Sequence, residues 1–227
     1  MGPRIALTGG IACGKSLFAK FLAELGIQLL DADDVVHELE APNGVAVPLI
    51  RAAFGEHVVD AKGGIDRARL AAIVFSDTLA RKKLEGILFP LVRARLQDFV
   101  LRGDSPHAAS GDSPHIVSGD SPRIVSGDSP RIAVIPLLFE SHWESDYDII
   151  LCIASPEHVQ IDRMMATRGY TRAQALARLA AQMPVHEKMA RSHLSVMNDS
   201  TSDKLKVEAK RVVAWLQGRF KDEYRRK

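Results

Sequence analysis

The residues Gly9-Gly10-Ile11-Ala12-Cys13-Gly14-Lys15-Ser16 fit the pattern G-x-x-x-x-G-K-[ST]. This octapeptide constrains the chain more than anything else in it. The pattern follows a short apolar run at residues 4–8 and opens a helical one at residues 15–25, where Phe18, Phe21, Leu22 and Leu25 recur at helical spacing. Gly9 and Gly14 let a backbone wrap tightly enough to turn successive N–H groups inward, toward an anion. A helix starting at Lys15 adds the positive end of its dipole. Gly10, Ile11, Ala12, Cys13, Gly14, Lys15, Ser16 and Leu17 would then contribute backbone donors to a triphosphate. The Lys15 ammonium reaches the β and γ phosphates and the Ser16 hydroxyl is placed to ligate Mg²⁺. By chance, four fixed positions of this kind arise in roughly one chain in a hundred of this length. The strand before the match and the helix after it make a plain glycine turn a poor account.

Around this loop, apolar strands alternate with helical patterns. Residues 27–30, 132–139, 148–153 and 194–197 read as strands. Residues 34–40, 45–54, 67–75, 77–101, 156–167, 171–182 and 203–220 read as helices, the long one broken at Pro90. Such alternation implies α/β architecture. The expected fold is a P-loop NTPase of nucleotide-kinase type, a three-layer sandwich on a five-stranded parallel sheet with helical acceptor and lid parts.

Residues 103–134 are four tandem octapeptides, GDSPHAAS, GDSPHIVS, GDSPRIVS and GDSPRIAV. Gly, Asp, Ser and Pro make each unit costly to order and give it little to bury. Residues 103–131 are expected to be a mobile surface insertion without a catalytic part. The rival reading is a small hairpin or docking loop.

Composition excludes some partners. Lys plus Arg number 30 and Asp plus Glu 28, for a formal charge of +2, so no surplus of positive charge invites nucleic acid. No apolar run approaches the ~20 residues of a membrane helix. The opening residues lack a secretion signal, and two cysteines, Cys13 and Cys152, form neither a disulfide framework nor a metal set. A small-molecule substrate, the cytoplasm and a monomer or weak homo-oligomer are expected.

Phosphoryl transfer to a hydroxyl needs a carboxylate to orient the nucleophile and take its proton. Asp31 and Asp33 end the second strand, on the ligand-binding edge of such a sheet. Asp33 is the favoured base, against the plainer reading that Asp33 or Asp34 only caps the next helix. Glu140 closes the apolar run at 132–139 and can approach metal and acceptor. Arg163 and Arg168, with Arg172 and Arg178, suit a lid that closes on phosphates. Cys13, at a helix N-terminus, is expected to have a lowered thiol pKa, and alkylation slowed by ATP.

The stretches Ile-Ala-Leu-Thr-Gly-Gly-Ile at residues 5–11, Leu-Leu-Asp-Ala-Asp33, Gly64-Ile-Asp-Arg67, Ile135-Pro-Leu-Leu-Phe-Glu140, Arg178-Leu-Ala-Ala-Gln182-Met-Pro and Asn198 together resemble the dephospho-coenzyme A kinase family. The matches span about residues 4–218, with the octapeptides as the main piece outside them. The resemblance implies transfer from ATP to the ribose 3′-hydroxyl of dephospho-coenzyme A. It implies Asp33 as base, and Arg67, Leu137 and Glu140 on the acceptor side with Asp31. It also implies Asn198 near the adenine and, within one kinase domain, a nucleotide core at about 1–59, 132–160 and 191–227, a helical acceptor part at about 60–102 and a lid at about 161–190. Three positions depart from the family pattern. Phe89 stands for a histidine before Pro90, Leu17 for a threonine, and His193 for an aspartate before the last strand. Rival readings are another nucleoside or nucleotide kinase of this fold, a GTP switch with Asp60-Ala-Lys-Gly63 as its D-x-x-G, and an inactive kinase kept for an interaction. No N-K-x-D motif supports the switch.

Overall fold

The computed structural model describes residues 2–102 and 130–224. Most of the octapeptide segment, and the expectation of a mobile insertion with it, lies outside those residues. The chain divides into two compact units, 1–29 with 100–227, and 30–99.

The sheet is ordered β2-β3-β1-β4-β5. Its strands are β1 (Ile5–Gly9), β2 (Gln28–Asp31), β3 (Arg131–Val134), β4 (Ile149–Ala154) and β5 (Leu194–Met197). β1 pairs in parallel with both β3 and β4, and β4 in parallel with β5. Ile5 sits opposite Ile132 on one side and Ile149 on the other. β1 and β4 are buried along their whole length, so both faces are covered and the runs are apolar rather than alternating.

Alternation along the strands sorts the core into two layers. Ile5, Leu7, Ile132, Val134, Ile149, Leu151, Ile153 and Val196 face α1 (Lys15–Glu24) and α9 (Ser202–Tyr224). Those helices answer with Phe18, Phe21 and Leu22 from α1 and Leu205, Ala209, Val212 and Leu216 from α9. The opposite face carries Ala6, Thr8 and Cys152, and α8 (Val185–Ala190) packs there on β4 and β1. The remaining helices of this unit are α6 (Glu157–Arg168) and α7 (Arg172–Ala180). Ile161, Met164 and Ala175 form a small apolar cluster with Ile11, Ala12, Tyr170 and Leu179. α7 starts on a capping box in which Thr171 and Gln174 satisfy each other's backbone N–H.

Unit 30–99 is helical. It contains α2 (Ala32–Glu40), α3 (Val47–Phe54), α4 (Arg67–Ser76) and most of α5 (Thr78–Arg102). The loop before α4 is tied by Asp60, whose Oδ1 accepts the N–H groups of Lys62 at 2.7 Å and Gly64 at 3.0 Å. That carboxylate serves its own turn, which gives the D-x-x-G-like stretch a structural account.

Three expectations are corrected. The apolar run at 132–139 is not one strand. β3 ends at Val134 because Ile135 N–H makes a last bond to Leu7 O at 2.8 Å and Pro136 has no N–H to offer. The long helix is not broken at Pro90. Leu88, Val92, Leu96 and Phe99 are buried along one of its sides, and this apolar packing outweighs the single hydrogen bond that the proline removes. Residues 185–190 read as no element but form α8, which Pro184 introduces.

Candidate active site

The octapeptide forms the turn between β1 and α1. Gly14 caps α1 in the left-handed region, with φ 84°. A Cβ there would lie 2.3 Å from Asn198 Nδ2, and one on Gly9 would lie 2.3 Å from Ile153 O. Both glycines are therefore required by close approach, and Gly14 by its dihedral as well. Lys15 and Ser16 open α1, so their backbone N–H groups belong to the unsatisfied first turn of the helix. Ser16 and Leu17 are exposed, as a ligand site needs.

A buried polar cluster braces the loop from behind. Asn198 follows β5, is 6% exposed, and donates Nδ2–H to Cys13 O at 2.9 Å. Ser155 follows β4 and donates its hydroxyl to Asn198 O at 2.6 Å. Arg163, from α6, donates Nη1–H to Ala12 O at 3.2 Å and to Ser155 Oγ at 2.9 Å, and Nη2–H to Asn198 O at 3.2 Å. Three carbonyls and a hydroxyl thus gather in one place, and their satisfied geometry fixes the loop before any ligand arrives. Ala12 sits at φ 57°, a conformation an alanine adopts only under such restraint. Asn198 also borders an open cleft of about 450 Å³ with Met197, Asp199, Thr201, Leu205 and Arg211.

The four arginines expected in a lid separate. Arg163 points into the loop's supporting cluster. Arg168 ends α6 and Arg172 starts α7, both exposed; Arg178 is exposed with its guanidinium 5.6 Å over the Tyr170 ring.

Glu140 lies in the turn after β3. Its Oε1 accepts Met183 N–H at 2.9 Å and pairs with Lys188 Nζ at 2.8 Å, while its Oε2 is buried without a hydrogen bond. Lys188 is 0% exposed and donates to Pro136 O at 3.1 Å as well. Thr8, at the end of β1, sends its hydroxyl to the same carbonyl at 3.3 Å. Leu137 is exposed at 40% between these contacts.

In unit 30–99, Asp31 is the N-cap of α2. Its Oδ1 accepts Asp33 N–H at 2.9 Å. The cap is thus neither Asp33 nor Asp34, and the Asp33 carboxylate is exposed and keeps its oxygens for other work. Arg67 Nε pairs with Glu40 Oε2 at 3.0 Å, and burial pushes the Glu40 carboxyl above its usual pKa against the opposing pull of Arg67.

Cys13 does not have the lowered thiol pKa expected from its place at a helix N-terminus. Its side chain is 0% exposed, and burial raises its pKa, outweighing the lowering by nearby hydrogen bonds and by Lys15. His193 provides an acceptor. Its Nδ1 takes Ile150 N–H at 3.0 Å.

Sequence reasoning missed Ser155, Gln160, Gln182 and Lys188. Gln160 is 2% exposed and donates Nε2–H to Ser155 O at 2.7 Å. Gln182 Oε1 accepts Ile11 N–H at 3.1 Å. Gln182 lay inside a stretch quoted for the resemblance, which was signal enough to single it out; a lone Lys188 in a polar segment gave none.

The chain matches the protein-family model described as dephospho-CoA kinase over residues 4–118 and 123–204, so the match enters the octapeptides that had been set outside it. A dephospho-CoA kinase from Burkholderia lata is 34% identical over 87% of this chain and 87% of its own length. That of Geobacillus kaustophilus is 35% identical over 88% and 89%. Among solved structures, a Thermus thermophilus protein is 30% identical with TM-score 0.71, covering 95% of this chain and 99% of its own. The dephospho-CoA kinase of Campylobacter jejuni, at 24% identity, TM-score 0.67 and 98% and 100% coverage, shares the fold. With the phosphate-loop geometry in place and the family matched from end to end of the described sheet, the chain belongs to the dephospho-CoA kinase family.

Proposed function

We propose that the chain transfers the γ-phosphoryl group of ATP, supplied as its Mg²⁺ complex, to the ribose 3′-hydroxyl of dephospho-coenzyme A, giving ADP and coenzyme A in the last step of coenzyme A synthesis. The observation that carries this reading is the family match along the chain combined with an intact, pre-braced phosphate loop. The fit to triphosphate rests on the loop itself. Gly9 and Gly14 let Ile153 and Asn198 close against the loop and hold its curvature, and the α1 N-terminus opens beside an exposed hydroxyl. Mg²⁺ keeps most of its coordination as water and phosphate oxygen, so the Ser16 hydroxyl suffices as protein ligand.

In this reading Lys15 neutralises charge on the β and γ phosphates, and the N–H groups of residues 10, 12 and 14–17 orient them, those of Ile11 and Cys13 being taken by Gln182 Oε1 and Gly10 O. Arg163 acts mainly by holding the loop carbonyls in place, and Arg168 stands exposed at the C-terminal end of α6 for phosphate contact. The cleft beside Asn198 takes the adenine. Asp33 is the base that accepts the hydroxyl proton, and its support is an exposed carboxylate that Asp31 frees from capping. Arg67, Leu137, Glu140 and Asp31 serve the acceptor side. Residues 60–102 form the acceptor part and 161–190 the lid of one cytoplasmic, monomeric or weakly associating kinase. Among the described residues, no helix is long and apolar enough to cross a membrane.

The test is a coupled ADP-release assay with ATP, Mg²⁺ and dephospho-coenzyme A beside adenosine, AMP and pantothenate. Turnover on dephospho-coenzyme A alone, lost by at least ~100-fold in Asp33→Asn, is expected. Turnover only on another acceptor refutes the substrate, and full activity in Asp33→Asn refutes the base.

A further inference from the structure

Gln182 stands just after α7, half-buried, with its side-chain oxygen on the Ile11 N–H at 3.1 Å. A carboxamide has an acceptor at one end and two donors at the other. Holding the oxygen on Ile11 therefore fixes where the donors lie, within about 5 Å of the Ile11 nitrogen on the same planar group. Among the described residues Nε2 makes no hydrogen bond, and it is not among the buried unsatisfied atoms.

The backbone that carries this amide is anchored on both sides. Gln182 N–H bonds Leu179 O at 3.1 Å and Met183 N–H bonds Glu140 at 2.9 Å. Glu140 is in turn paired with the wholly buried Lys188, whose other contact is Pro136 O below the end of β1. The amide is thus set rigidly against the loop rather than carried on a free segment.

Position within the loop indicates what the donors meet. The amides near Gly14 and the start of α1 cradle the α and β phosphates. Ile11 lies three residues earlier, at the other end of the loop, where the chain leaves β1. The geometry points to Gln182 as a further phosphate-contacting residue, one that keeps Oε1 on Ile11 and donates Nε2–H to an oxygen of the γ-phosphoryl group. This rests on the reading that the loop holds ATP. A neutral donor at that point strengthens as charge builds on the transferring group and adds no cation to be desolvated beforehand.

The test separates γ-phosphate recognition from loop support. Dissociation constants are measured with Mg²⁺ for ADP and for the imido analogue of ATP, in the wild type, Gln182→Met and Gln182→Glu. Gln182→Glu keeps an acceptor for Ile11 N–H but exchanges the donor for a negative charge, whereas Gln182→Met removes the donor without adding charge, so a loss common to both variants reports the donor. The expected result is ADP affinity within about twofold of wild type in Gln182→Met, with analogue affinity down at least about tenfold in both variants, the value of one charge-assisted hydrogen bond. Equal weakening of both nucleotides, or an unchanged ratio between them, overturns the proposal. A wild type that binds neither nucleotide overturns it together with the ATP reading. A wild type that binds both but does not turn over dephospho-coenzyme A refutes only the acceptor, and the ratio still decides the role of Gln182.

Discussion

Replacing Gly14 by alanine should destabilise the protein through one neighbour, and the size of the effect follows from the geometry. At φ 84° an alanine incurs about 1 kcal/mol of left-handed strain. Its Cβ would also lie 2.3 Å from Asn198 Nδ2, so the Asn198 side chain must swing away and release Cys13 O, now 2.9 Å from it and buried. Losing that bond costs about 2 kcal/mol more. The total of about 3 kcal/mol corresponds to a Tm lower by about 6–12 °C for a chain of this size. Asn198→Ala alone should cost about 2 kcal/mol, because the contacts of Ser155 and Arg163 go to the Asn198 main-chain carbonyl and survive. In that background Gly14→Ala should cost only its dihedral strain, about 1 kcal/mol. The double-mutant cycle, followed by circular dichroism in guanidinium chloride without nucleotide, should show a coupling of about 2 kcal/mol. If Gly14→Ala costs the same with and without the Asn198 side chain, the bracing argument is wrong.

Three further outcomes are expected. Lys188→Met, which leaves the half-buried Glu140 carboxylate without its cation, should cost about 3 kcal/mol, and adding Glu140→Gln should restore at least half of that in the same denaturant assay; a loss below about 1 kcal/mol would refute the pairing. The Arg4 guanidinium holds the Asp148 carboxyl below its usual pKa. A depressed folded-state pKa stabilises above the unfolded value of about 3.9 and is lost as pH falls through the folded value. Asp148→Asn should therefore be less stable by about 1 kcal/mol at pH 7, small because both side chains are over a third exposed, and the difference should vanish as pH falls through the depressed folded value. Burial raises the Cys13 thiol and pushes Cys152 up to about 12, so at pH 8 neither should react with a disulfide reagent in the folded protein and both should in denaturant. Prompt reaction of one native thiol would contradict their burial.

The local parts of the site were readable in advance because they depend on neighbours in sequence. A strand, a glycine turn and a helix within residues 4–25 carry the loop, and Asp31-Ala-Asp33 follows its strand directly. What failed depends on distant partners. The run at 132–139 looks uniform to any periodicity argument, and only the ladder to Leu7 and the missing N–H of Pro136 show where β3 stops. Pro90 predicts a break unless buried residues on both sides of it, Leu88 and Val92, hold the helix together. The pKa of Cys13 turns on how deeply the loop is covered, which no local pattern encodes, and the same holds for Lys188 at the centre of a buried pair.

The order of the strands also sets a schedule for synthesis. β1 is made first, yet its two ladder partners begin at Arg131 and Ile149, and the amide that secures Cys13 is Asn198. At about 5–20 residues per second, translation leaves the first strand unpaired for some seconds before either partner exists. Residues 5–7 are apolar, so during that interval a nascent chain exposes an adhesive segment and an unformed nucleotide loop. Nucleotide cannot rescue the early chain, since the surface it would grip is completed only by the final third of the polypeptide.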